Sequence, residues 1–133
     1  MKIVVIDGQG GRLGQLLTAG VKARLPQAQV CALGTNTVAT AAMLKAGADF
    51  GATGENPVVR GVMDADGVLG TVGIVVANAI LGEVTPAMAE AVGGCRAKKF
   101  LVPMNSCGVV VAGVEDLSLA AYVSQAVEAL AGE

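Results

Sequence analysis

The residues most suited to chemistry stand together near the start of the chain: Asp7-Gly8-Gln9-Gly10-Gly11-Arg12-Leu13-Gly14. A nucleotide phosphate needs a turn free of side chains, so that backbone N–H groups can approach it, and it gains from the positive end of a helix. Gly8 permits the turn, Gly10 and Gly11 permit close approach, and Gly14 lets the following helix pack near the sheet. Arg12 places a cation beside the same turn. The spacing departs from G-x-G-x-x-G, because Leu13 holds the third glycine position, and fits GxGGxxG or GxxGxxG variants. The competing reading is a turn whose glycines serve only helix–sheet packing.

Other polar residues fall at the expected carboxyl ends of strands, where open α/β sheets hold their ligands. They are Asp7, Thr35 and Asn36, Thr53 to Asn56, Thr71, Asn78, Glu83 to Thr85, and Asn105 to Cys107. Asp7 and Glu83 are the candidate acid and base, since burial raises a carboxylate toward a useful pKa. Each also has a plain structural role open to it: Asp7 as an acceptor for turn amides, Glu83 as a first-turn carboxylate near the Thr85-Pro86 helix start. Thr35 and Asn36 are candidate ribose or 2′-phosphate contacts, with Asn36 equally suited to capping a helix. The carboxylate that NAD-binding folds carry at the end of the second strand is missing, and Leu33-Gly34-Thr35-Asn36 stands there instead. Asn78 and Asn105 complete the candidate binding set. Cys107 lacks the base that makes a nucleophilic thiolate, because the chain has no His.

The same absence removes His-based triads and the commonest metal ligand. Three cysteines without C-x-x-C spacing give neither a disulfide framework nor a zinc site, so no metal is expected. Net charge −2 and 2% aromatic content argue against nucleic-acid binding, which needs clustered cations or stacking rings. The longest strongly apolar stretch, Gly67 to Gly82, is interrupted by Gly, Thr and Asn, so no membrane span is expected. The short apolar N-terminal run is no signal peptide, and a cytoplasmic protein is the expectation.

The elements that must position these residues alternate between β-branched runs and helical patterns. Strands are expected over Lys2–Ile6, Ala28–Leu33, Ala48–Ala52, Gly67–Thr71, Lys99–Val102 and Val109–Val114. Helices are expected over Gly11–Leu25, from Asn36 or Thr37 through Ala46, near Asn56–Met63, from Thr85-Pro86 to Gly93-Gly94, and from Glu115-Asp116 to Leu130. Gly73–Leu81 fits a buried helix or a longer strand, with the helix favoured. The result is one α/β, three-layer Rossmann-like domain over residues 1–133 with a mainly parallel sheet. With 133 residues, 53% apolar and only 15% charged, the chain has too little charge to cover a small domain. A homo-oligomer, most simply a homodimer, is therefore expected.

Gly-Gly-Arg-Leu-Gly is similar to the phosphate loop of NAD(P)-dependent dihydrodipicolinate reductases. More widely, Asp7-Gly8-Gln9-Gly10-Gly11, Leu33-Gly34-Thr35-Asn36, Gly54-Glu55-Asn56, Leu81-Gly82-Glu83-Val84-Thr85-Pro86 and Pro103-Met104-Asn105 resemble a short uncharacterised bacterial family. Many of its members have a third consecutive Gly where this chain has Arg12. The resemblance implies an α/β nucleotide-binding-like fold and brings no known activity or catalytic residue. The expected function is binding of a nucleotide or dinucleotide, NAD(P) or another phosphate-containing ligand, as a sensor or carrier. The alternatives are a small NAD(P)-dependent oxidoreductase and a non-catalytic interaction module.

Overall fold

Lys2–Asp7 (β1) carries an unbroken apolar run from Ile3 to Ile6, the pattern of a strand covered on both faces. In the computed structural model, which describes residues 1–104 and 108–133, it lies at the centre of a five-stranded sheet. Gln29–Gly34 (β2) and Gly67–Thr71 (β4) pair with it in parallel on either side. Phe50–Thr53 (β3) and Lys98–Val102 (β5) form the edges, also parallel, in the order β3-β2-β1-β4-β5. Parallel neighbours need crossover connections, and the helices supply them.

Alternation along β1 sorts the core into two halves. Ile3 and Val5 face Arg12–Arg24 (α1), Thr37–Lys45 (α2) and Leu119–Ala131 (α5) through Leu17, Val21, Met43, Val123, Val127 and Leu130. Val4 and Ile6 face Glu55–Gly61 (α3) and Pro86–Gly94 (α4) through Val58, Met88 and Val92, with Ile74 from the segment after β4 in the same cluster. Three layers result, a single α/β domain of Rossmann-like order. The strand order reverses between β1 and β4, the switch point at which such sheets open a crevice at their carboxyl ends.

Local signals account for most helix starts. Asn36 caps α2 by accepting the Ala39 N–H at 2.9 Å. Thr85 caps α4 through the Met88 N–H at 3.2 Å, with Pro86 following. Ser118, rather than Glu115 or Asp116, caps α5. On α1, Leu13, Leu17 and Val21 are buried, while Leu16 is exposed.

Two expectations fail. Gly73–Leu81 is neither a helix nor a longer strand: Val72–Val75 makes one 3-10 turn, and the chain then closes on itself. The Asn78 N–H donates to Val84 O and the Val84 N–H to Ala79 O, while Asn78, Ile80, Leu81 and Gly82 all have left-handed backbones. The apolar run serves to bury Ile74, Ala79, Ile80 and Val84 over the α3–α4 face, which needs no regular element. Nor does Val109–Val114 form a sixth strand. Gly108 and Gly113 turn with positive φ at 75° and 81°, and Val110 is 85% exposed beside the edge of the sheet. A β-branched run was the whole of that signal, and it lacks a covered face. Among the described residues no helix is long and apolar enough to cross a membrane.

Candidate functional site

Each loop glycine has a different neighbourhood, and the differences decide what the loop is for. A Cβ on Gly8 would meet Thr35 Oγ1 at 2.6 Å and Glu83 Oε1 at 2.8 Å. On Gly11, with φ 75°, it would meet Ala39 Cα at 2.8 Å. On Gly14 it would meet Met43 Sδ at 2.5 Å and Asp7 Cβ at 2.8 Å. These three glycines are explained by the protein's own packing. Gly10 differs, since a Cβ there would have nothing within 4 Å.

Asp7, at the end of β1, is 7% exposed and has both oxygens occupied. Oδ1 accepts the Gly8 N–H at 2.8 Å and Oδ2 the Gly14 N–H at 2.6 Å. It braces the loop across its own width and stands in for the cap that Gly11, lacking a side chain, cannot provide to α1. Burial pushes its pKa up, the two amides pull it back down, and the charge of Glu83 raises it further. The turn-acceptor role thus describes its contacts. The cap reaches only Gly14: the Arg12 and Leu13 amides, at the first turn of α1, have no acceptor among the described residues.

Glu83 comes from the loop after β4 yet reaches over the carboxyl end of β2. Its Oε1 accepts three hydrogen bonds, from Gln9 N–H at 2.9 Å, Thr35 Oγ1 at 2.6 Å and Asn36 Nδ2 at 2.9 Å. Burial opposes its charge, but these three donors outweigh it and hold the carboxyl below its usual pKa. Asn36 Nδ2 also donates to Gln9 O at 3.0 Å, tying the two loops together. Thr35 and Asn36, expected to contact a ligand, instead spend their donors on Glu83, and Asn36 Oδ1 is the α2 cap.

Between the glycine loop and the loop after β4 lies a cavity of about 310 Å³, at the β1–β4 switch point. Asp7, Gly8 to Leu13, Thr71, Ile80, Leu81 and Met104 line it. Thr71 is 5% exposed, and its buried hydroxyl has no hydrogen-bond partner among the described residues. Arg12 is exposed on the cavity's rim and makes no ion pair among the described residues. In the sequence Thr71 is one of many strand-end polar residues, and its orphaned hydroxyl appears only once the sheet is assembled.

Asn78 is not brought to this cavity. It is exposed, at φ 67°, and its backbone holds the Ala79–Val84 turn. Thr53 bonds Thr40, and Glu55 accepts the Thr85 hydroxyl, so this group knits α2, β3, α3 and α4 together away from the cavity. Asn105 and Cys107 lie outside the described residues. Cys31 and Cys95 are partly exposed. The described residues contain no cluster of His, Cys, Asp or Glu able to hold a metal ion.

The chain belongs to the family described as Domain of unknown function (DUF3842), whose model matches residues 2–133. No curated protein matches it. Among solved structures, it is similar to a dodecameric FMN-dependent UbiX-like decarboxylase from Escherichia coli O157:H7, at 17% identity and a TM-score of 0.49, covering 98% of this chain and 76% of that one.

Proposed function

Since membership of that family carries no activity, we propose from the site itself that the protein binds a small phosphate-bearing ligand of nucleotide type at the Gly10 edge of the β1–β4 cavity. The observation that carries this reading is the contrast among the loop glycines. Gly8, Gly11 and Gly14 are each required by internal contacts, whereas Gly10 faces open space and has no packing reason to lack a side chain. Beside it, the unbonded Arg12 and Leu13 amides sit at the positive end of a 13-residue helix, with the Arg12 side chain adding a full charge. The orphaned Thr71 hydroxyl supplies a further donor or acceptor on the opposite wall.

The volume of about 310 Å³ is at the lower end of ligand cavities, enough for a phosphate and a sugar but not for an enclosed dinucleotide. Binding is therefore preferred over the small NAD(P)-dependent oxidoreductase. The homodimer expected from composition belongs to the same proposal: Val110, Val111 and Val114 are exposed together beside β5, a surface that a second copy would cover.

A thermal-shift panel with NAD, NADP, FAD, ATP, GTP and acetyl-CoA tests the reading. A ligand present at 100 times its dissociation constant stabilises by about 2.7 kcal/mol, a clear shift. Gly10→Asp places a carboxylate in the open space and abolishes the shift while the unliganded melting temperature stays close to wild type. No shift with any member of the panel, or an equal shift in Gly10→Asp, overturns it.

A further inference from the structure

We propose that Glu83 is the specificity-determining residue of this site: its free oxygen accepts the hydroxyls of a ribose on the ligand and turns away a ligand carrying a phosphate at that position. The inference rests on the phosphate reading of the Gly10 loop and names the sugar end of the same ligand.

The carboxylate missing after β2 is replaced in space. Glu83 lies 48 residues beyond Thr35 in the chain, yet its carboxylate is hydrogen-bonded to the residues that follow β2. Its two oxygens are unequal. Oε1 is saturated by donors from two separate loops, whereas Oε2 has no partner among the described residues. One oxygen locked and one open make a pre-oriented acceptor, whose ordering cost is met on folding rather than on binding. Glu83 as a whole is partly exposed, so it is not sealed off from a ligand.

The backbone is arranged to deliver this group. Ile80 and Leu81 are both left-handed, at φ 56° and 53°, a conformation that branched and bulky side chains rarely adopt. Gly8 leaves the space into which Oε1 fits, as the 2.8 Å approach to a Cβ there shows. Thr71 lines the cavity together with Gly10, and Glu83 stands just outside that lining, held against Gly8 and Gln9 of the same loop.

The same three donors could in principle receive an anion of the ligand after Glu83 had swung away. That exchange would break and remake the same bonds, leaving the displaced carboxylate beside a new anion. No Lys or Arg pairs with Glu83 among the described residues to offset the repulsion. Balanced hydrogen bonds and unbalanced charge favour Glu83 in place, presenting Oε2. A carboxylate so placed welcomes hydroxyl donors and repels phosphate.

Calorimetric titration of the full chain with ADP and GDP, their 2′-deoxy counterparts and adenosine 2′,5′-bisphosphate tests this. Wild type is expected to bind at least one ribonucleoside diphosphate, its 2′-deoxy counterpart about tenfold more weakly, and the bisphosphate more weakly still, a tenfold step being what one lost hydrogen bond produces. Glu83→Gln narrows both gaps, weakening the ribonucleotide and strengthening the bisphosphate. Gly8→Ala pushes the carboxylate aside without removing it and narrows the first gap alike. Equal binding of ribo and deoxy ligands by wild type overturns the role of Glu83 and leaves the phosphate site standing, as do gaps unchanged in both variants. Binding of none of the ligands overturns the phosphate reading and this inference with it.

Discussion

Two loops meet above the carboxyl ends of β1 and β4, and they are built by opposite means. The loop after β1 turns on glycines, three of which are pressed against neighbouring atoms, and it is pinned at both ends by the buried Asp7. The loop after β4 makes its left-handed turns largely with side-chain-bearing residues, Asn78, Ile80 and Leu81, and ends in the partly exposed Glu83. Each contributes one carboxylate, and their surroundings divide the work: Asp7, buried and raised in pKa, holds backbone amides, while Glu83, lowered in pKa, keeps one oxygen for outside use. Similar functional groups a short distance apart thus become a brace and an acceptor. A glycine-rich motif is therefore a mixed signal, since most of its glycines here serve the fold.

The largest expected effect separates the two loops by their glycines. Gly11→Ala forces a Cβ against backbone atoms, Ala39 Cα at 2.8 Å and Ala39 O at 3.0 Å, at a left-handed position. Overpacking costs about 1–3 kcal/mol and the left-handed conformation about 1 kcal/mol more, so a loss of about 3 kcal/mol is expected. Gly82→Ala, at φ 87° with nothing within 4 Å, should carry only the conformational part, about 1 kcal/mol. Urea midpoints of the two variants check the difference, and equal losses would erase the distinction between packed and open turns.

The brace comes next. Asp7→Asn keeps one carbonyl oxygen but turns an NH2 toward the second backbone N–H, leaving a buried donor unmet at a cost of about 2 kcal/mol at neutral pH. The pH trend carries the sign. With its folded pKa raised, Asp7 contributes most below its usual value and loses that contribution as pH rises through the raised value. The gap between wild type and Asp7→Asn therefore widens on acidification toward about pH 4. Glu83, with its folded pKa lowered, contributes above its usual value and loses that contribution as pH falls through the lowered one. The gap between wild type and Glu83→Gln therefore closes on acidification. Denaturation at several pH values reads both slopes, and slopes of the same sign would contradict the division between the carboxylates.

That division was only half legible in the residues. The alternation of elements, the Asn36 and Thr85-Pro86 helix starts and the acceptor role of Asp7 follow from local pattern, because a 3.6-residue period or a cap acts within one turn of chain. The joining of Glu83 to Thr35 and Asn36 depends on the strand order, which brings the β4 loop across β1 to β2, and no spacing in the chain encodes it. Gly73–Leu81 and Val109–Val114 misled for a related reason. Apolar residues mark burial or contact, and in short runs they do not say which backbone delivers it. A usable trace did exist in Asn78 and Gly82, turn-forming residues at the end of an apolar stretch and just before Glu83.

The smallest expected effect is the sharpest on the loop's purpose. Gly10 does not take a left-handed backbone, and a Cβ there meets nothing within 4 Å. Gly10→Ala should accordingly leave stability within about 0.5 kcal/mol of wild type, the range of an unconstrained surface change. It should still weaken any ligand whose phosphate lies against that backbone, because a methyl group then occupies the approach to the Arg12 and Leu13 amides. Chemical denaturation and ligand titration on the same sample separate the two quantities. A loop made only for packing predicts the reverse for each: a Gly10 that resists substitution and a binding constant that ignores it.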